Sequence, residues 1–251
     1  ATSSELIKLI DNPEGTLKVS REGFPVEVFP EEELGLCIEC IRRFSPNVIV
    51  NDLMFISDNY MKKLKELNVA IVNVVDSLSD IELSKNYADV VINFLDEENN
   101  LPQGKYFAGP EYTVIDPVKR FREKAENDGS KLLHEQRKQG FSILITLGGS
   151  DPTGLTLIAA QALERLDLKV NITIVVGIAY AYHKDLADFL EQATKPFTLK
   201  KDVVNLPELI MDSDLIICSG GRTVYELAAL GVPGITICQN ERELKRMETF
   251  K

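Results

Sequence analysis

The chain has 251 residues, 44% hydrophobic and 27% charged, with 15 glycines and 11 prolines, the composition of a folded globular protein rather than a disordered or fibrous one. Lys+Arg 28 against Asp+Glu 39 leaves a formal charge of −11, which argues against a general nucleic-acid binder or a protein of anionic membrane surfaces. No run nears the roughly 18 apolar residues that span a bilayer, residues 1–5 lack the start of a secretory signal, and four cysteines make a disulfide framework improbable, so a cytoplasmic protein without stable membrane insertion is expected.

The opening ATSSELIKLI reads as the exit from a strand into a helix, so a first strand and its loop are expected to be missing before it. A short strand is predicted over 24–29 and an amphipathic helix over 31–44, with Leu34, Cys37, Ile38 and Ile41 on its buried side. Cys37 and Cys40 form a CxxC in mid-helix, whereas a redox pair prefers a helix start, where the dipole lowers a thiol pKa; both are read as packing residues. Strands follow at 47–50, ending in Asn51-Asp52, at 70–75, ending in Asp76-Ser77, and at 88–93, with a helix over 56–67 between the first two. Such β-branched runs separated by helices describe a parallel sheet covered on both faces. Residues 106–129, with Pro110 and Pro117, break the rhythm and read as a connector.

The pattern then restarts. Strands are predicted at 141–147, 170–176, 197–199, 215–218 and 234–238, and helices at 155–166, 182–192, 206–211 and 224–230. This second half is a Rossmann-like domain of its own. The expected division is 1–112, a connector at 113–137, and 138–251, with closing helices missing after Lys251.

Two glycine loops join strand to helix in the second half. In TLGGSDPTG, Gly148, Gly149 and Ser150 allow close backbone approach, and the helix start offers N–H groups to an anion. Ser150 or Asp151 can equally cap that helix. The loop is neither a Walker A nor a GxGxxG sequence, so an ATPase or NAD assignment by motif fails. In SGGRTVYE, Ser219, Gly220, Gly221 and Thr223 can surround a phosphate, Arg222 adds charge, and Glu226 can accept two ribose hydroxyls. The competing reading is a capping box, Thr223 as cap and Glu226 as its N3 carboxylate. In the first half, Asp52 and Asp76 stand at the C-terminal ends of parallel strands, the usual place of ligand groups, where a cap role is equally open. His134 and His183 read as surface or capping residues. They leave little for a metal site, so neither metal nor cofactor is expected.

VNDLMF at 50–55, VVDSLSD at 74–80, AGPEYTVID at 108–116, LGGSDPTG at 147–154 and SGGRTVYELAALGVP at 219–233 together resemble the sugar-nucleotide hydrolases of the pseudaminic-acid pathway. Those belong with the spore-coat polysaccharide proteins related to MurG-type glycosyltransferases. The resemblance implies a GT-B arrangement, two Rossmann-like domains facing across a cleft, the second holding the nucleotide diphosphate and the first the sugar. It implies that Gly148, Gly149 and Ser150 lie near the diphosphate or the cleft floor, that Gly220, Gly221 and Thr223 line the diphosphate, and that Glu226 takes the ribose. Asp52 and Asp76 would face the sugar, and Tyr112, in GPEY, resembles a tyrosine lying by the active site. The implied partner is a UDP-sugar or related nucleotide sugar, and the implied reaction is attack of water on the sugar–nucleotide linkage. A GT-B glycosyltransferase and a noncatalytic nucleotide-sugar binder are the alternatives. The family's G-x-G-H-x-x-R loop, with the histidine thought to serve the water, does not occur in this sequence, which therefore lacks the expected general base.

Overall fold

The computed structural model describes residues 8–9, 26–27, 34–52, 57–75, 84, 86–93, 105–109, 112–113, 140–177, 179–248 and 250. The chain divides into two units, Ala1–Thr113 and Val114–Lys251. Residues 114–137 of the expected connector lie outside the described residues, as does Asp76.

In the first unit, β1 (Lys8–Leu9) pairs in parallel with β2 (Val26–Glu27), Lys8 opposite Val26. Residues 8–9 are therefore strand rather than the expected helix entry: their backbone is paired with β2 and not within a helical turn. A separate four-stranded parallel sheet has the order β3 (Val48–Asp52), β4 (Ala70–Val75), β5 (Val90–Asn93), β6 (Tyr106–Ala108). Strand β6 was not anticipated. Three residues are too few for a period to show, and Gly109 ends the strand with a φ of 125° while donating its N–H to the Asn93 carbonyl.

Helices α1 (Leu34–Phe44) and α2 (Asp58–Lys65) supply Ile38, Ile41, Met61 and Leu64 to a core completed by Ile71, Val75 and Val91. The spacing of three between each helix pair puts its members on one face. The Ser57 hydroxyl caps α2 by accepting the Tyr60 N–H at 3.2 Å, and lysines close its last turn, where they complement the helix dipole. Cys40 is buried beside Cys37, and burial, with Cys40 as a lesser cause, pushes the Cys37 thiol up to about 11. A thiol so far from ionising is a packing group rather than a redox nucleophile.

Near the C-terminal ends of β3, β4 and β5 stand three asparagines, Asn51, Asn73 and Asn93, each at most 3% exposed. Buried amides need partners, and these have them. Tyr60 Oη donates to Asn51 Oδ1 at 2.8 Å, Asn51 Nδ2 to Asn73 Oδ1 at 2.7 Å, and Asn73 Nδ2 to Ser84 Oγ at 2.8 Å. Asn93 Nδ2 donates to the Tyr106 hydroxyl at 2.6 Å.

The second unit is a five-stranded parallel sheet in the order β11 (Gly234–Thr236), β10 (Leu215–Cys218), β7 (Phe141–Thr146), β8 (Val170–Val176), β9 (Phe197–Lys201). Helices α3 (Leu155–Arg165), α4 (His183–Gln192), α5 (Leu206–Met211), α6 (Thr223–Leu230) and α7 (Glu241–Glu248) connect or follow them. In β7, Ile143 to Thr146 are all buried, as expected of a central strand covered on both faces. Ile145, Ile172, Ile174 and Leu186 form the middle of the core with the small Ala160 of α3.

Candidate functional site

The sheet order of the second unit decides where a ligand would sit. From β7 the chain steps to β8 and β9 on one side, then crosses back to β10 and β11 on the other. In an open parallel sheet, ligands lie beyond the strand C-termini at the point where the order reverses, here between β7 and β10. Those two strands end level with each other, Thr146 opposite Cys218. Both glycine loops therefore start from the switch point.

The first loop turns sharply at Gly148 (φ 89°) and again at Asp151 (φ 40°). Aspartate is among the few residues that tolerate the left-handed region. Asp151 is 1% exposed, and its carboxylate accepts from Leu155 N at 3.0 Å and Thr156 N at 2.8 Å. Of the two candidate caps for α3, Asp151 makes these bonds. Two of the helix's leading amides are thus held by the chain's own carboxylate, a charge-assisted arrangement, while Gly148, Gly149 and Ser150 are exposed on the rim.

The second loop differs. Helix α6 has no side-chain capping bond, and its cap residue is Arg222, already helical at φ −64° and ψ −25°. Tyr225 N and Glu226 N both turn to the Arg222 carbonyl, at 3.0 and 3.4 Å. The capping box between Thr223 and Glu226 does not form. Glu226 is half-buried one turn into the helix, and Thr223 is its first residue. Ser219, 5% exposed, lies between the loops: a Cβ built on Gly148 would stand 3.8 Å from its Oγ, and one on Gly221 3.4 Å. Beneath the loop, burial pushes the Cys218 thiol up to about 11 against the lowering contact with the Thr236 hydroxyl, so it is a neutral packing group.

Gly220 faces away from this rim. Its N–H donates to Glu243 Oε2 at 3.1 Å, and its carbonyl accepts from Arg246 Nη1 at 2.8 Å. A Cβ there would lie 2.8 Å from Glu243 Cβ, so only glycine lets α7 approach this closely. Gln239 completes the contact. Its N–H donates to the same Glu243 oxygen at 2.8 Å, its Nε2 to the Leu147 carbonyl at 2.7 Å, and its Oε1 accepts from Thr153 Oγ1 at 3.2 Å. Gln239, Glu243 and Arg246 were not picked out in the sequence. The one available signal was Asn240 followed three residues later by Glu243, the spacing of a capped helix start; Asn240 Oδ1 indeed accepts from Glu243 N at 2.9 Å.

Next to the first loop stands an aromatic group. Tyr182 Oη donates to the Pro152 carbonyl at 2.8 Å, and the Tyr180 ring packs edge-on against Tyr182 and His183 with centroids 5.8 and 5.3 Å away. His183 opens α4 and is exposed.

The structure brings Gly148, Gly149, Ser150, Ser219, Gly221, Arg222, Thr223 and Glu226 to one end of one sheet. Asp52 and Tyr112 belong to the other unit. Asp52 ends β3, exposed, directly after the buried Asn51. Tyr112 is 38% exposed, its ring edge-on to Phe107 at 5.6 Å. Among the described residues no group of three acidic, histidine or cysteine side chains is placed to hold a metal ion, and no helix is long and apolar enough to cross a membrane.

Residues 142–248 match the C-terminal domain of glycosyltransferase family 28, a span that contains both glycine loops and α7. The chain is 30% identical over 252 residues to an uncharacterized protein of Methanocaldococcus jannaschii, covering 95% of this chain and 49% of that protein, so it spans about half of that relative's length. It is 24% identical over 253 residues to the spore coat polysaccharide biosynthesis protein SpsG of Bacillus subtilis, covering 98% of this chain and 71% of SpsG. Among solved structures it is similar to the UDP-GlcNAc 2-epimerase of Neisseria meningitidis bound to UDP-GlcNAc, with a TM-score of 0.67 at 14% identity over 94% of this chain and 75% of the other. The fold is GT-B-like α/β, its two larger sheets both parallel, and the chain is weakly similar to a spore coat polysaccharide biosynthesis protein. The narrower resemblance to pseudaminic-acid-pathway hydrolases is not what these similarities single out.

Proposed function

We propose that this chain binds a nucleotide-activated sugar, UDP-linked, at the β7–β10 switch point, and that it acts as a glycosyltransferase of the GT-B type. The observation that carries the reading is the coincidence of the switch point with two glycine loops inside the stretch that matches family 28. In this reading the uncapped start of α6 and the Arg222 charge meet the diphosphate, and Glu226 accepts the ribose hydroxyls. Asp52, Asp76 and Tyr112 are proposed as sugar-side residues on the motif resemblance alone. In the reaction an acceptor hydroxyl oxygen forms a bond to the anomeric carbon as the bond from that carbon to the diphosphate oxygen breaks, and the hydroxyl proton passes to solvent. Electrons pass to the departing nucleoside diphosphate, whose charge the loop N–H groups stabilise.

Hydrolysis, with water in place of the acceptor, is the second reading, carried by the resemblance of the five motif runs taken together to sugar-nucleotide hydrolases. Time-dependent release of free sugar without acceptor marks a hydrolase, and acceptor-dependent turnover marks a transferase. The site itself is tested by Glu226→Ala. Loss of a charged hydrogen-bond acceptor is expected to weaken UDP binding by about 1–3 kcal/mol in calorimetric titration. The unfolding midpoint of the variant, measured beside its UDP affinity, separates the two roles. A lowered midpoint with unchanged UDP affinity would make Glu226 a scaffold residue.

A further inference from the structure

We propose that Glu243 is a positioning residue that couples the two glycine loops and so sets their hold on the nucleotide; the second half of this statement rests on the nucleotide reading above. One carboxylate oxygen receives two backbone N–H groups, from Gly220 in the second loop and from Gln239. Gln239 in turn holds the first loop at Leu147 and Thr153. Glu243 is therefore the node through which a displacement of either loop reaches the other.

A helix-capping role does not account for this geometry. Asn240 already caps α7 by accepting the Glu243 N–H, and the Glu243 carboxylate reaches past that cap to residues outside the helix. Arg246, three positions on and on the same face, takes the carbonyl of Gly220 and is 8% exposed. Helix α7 thus grips both the N–H and the C=O of a single glycine, one with an anion and the other with a cation. Hydrogen bonds to charged groups are the stronger kind, and Gly220 has no side chain to hold its loop by other means. The next residues, Gly221 and the cap Arg222, lead into α6 at Thr223, so the grip on Gly220 fixes where those groups point.

The test is calorimetric titration of the full chain with UDP, together with amide hydrogen exchange at Gly220 and Gln239, for the unmutated protein, E243A, E243Q and N240A. E243A is expected to lose about tenfold or more in UDP affinity, the scale of one or two charged hydrogen bonds, with faster exchange at both amides. E243Q keeps a carbonyl acceptor and is expected to restore most of the affinity. N240A removes only the cap of α7 and is expected to leave UDP affinity unchanged. If E243A does not fold, E243Q carries the test, a loss under threefold with both amides still protected being expected. UDP affinity in E243A within twofold of the unmutated chain overturns the proposal, as does a tenfold loss in N240A or E243Q. Absence of UDP binding by the unmutated chain instead overturns the nucleotide reading, and exchange at Gly220 and Gln239 in E243A then shows whether the coupling stands alone.

Discussion

A single methyl group at residue 220 is expected to destabilise the second unit by about 1–3 kcal/mol, the range for forcing atoms into a packed interior. The Cβ of Gly220→Ala would lie 2.8 Å from Glu243 Cβ, 3.2 Å from the Glu243 carbonyl oxygen and 3.3 Å from Cys238 Sγ. Two of those atoms belong to the start of α7 at or beside its backbone, so no rotamer change removes the clash. Relief requires α7 to withdraw, which stretches the bonds from Gly220 to Glu243 and Arg246 together. The neighbouring Gly221→Ala is the control, since its Cβ would approach only the Ser219 hydroxyl, at 3.4 Å. Urea unfolding of both variants is expected to show a lower midpoint for Gly220→Ala and a much smaller change for Gly221→Ala. Equal midpoints would contradict the close packing of α7 on the loop.

In the first unit the largest effect is expected at Asn73, which is fully buried and bonded on both sides. Asn73→Ala removes the acceptor of the Asn51 amide and the donor to Ser84, and it opens a cavity. Neither partner can turn to water from a position at most 3% exposed. Loss of a buried partner costs about 1–3 kcal/mol and truncation adds to it, so a destabilisation of about 2–4 kcal/mol is expected, read as faster hydrogen exchange throughout β4. Asn73→Leu restores the volume but not the hydrogen bonds, and is expected to recover only part of the loss. Full recovery by leucine would mean that the polar row contributes nothing beyond its volume.

These two positions show what was legible in the sequence. Strands β4, β8 and β10 and helix α5 have the bounds that their apolar runs predict, 70–75, 170–176, 215–218 and 206–211. β10 is an uninterrupted apolar run, β4 and β8 are runs dominated by β-branched residues despite Asn73 and Asn171, and α5 is a short helix with proline at its start. Strand β9 runs to Lys201 rather than Leu199 because it lies at the sheet edge, where lysines project into solvent without disturbing the pairing. The two glycine loops were legible because glycine pairs between a buried strand and a helix have few other uses. Of the partners of their amides, Asp151 at the start of α3 was legible as one of two local caps, whereas Glu243 at Gly220 is a tertiary choice, made by a side chain that reads equally well as a solvated charge. Helix α7 was obscure for the same reason: ERELKRME carries no continuous apolar stripe, and it is anchored through Glu243 and Arg246 instead.

The most direct test of a nucleotide-sugar site at the β7–β10 switch point is titration of the full chain with UDP, followed by amide chemical shifts, with CMP, GDP and NAD as controls. The account predicts saturable one-to-one binding of UDP, with the largest shifts at residues 148–150 and 221–226 and small ones in the strands. Absence of saturable binding, or shifts concentrated away from both glycine loops, would contradict it.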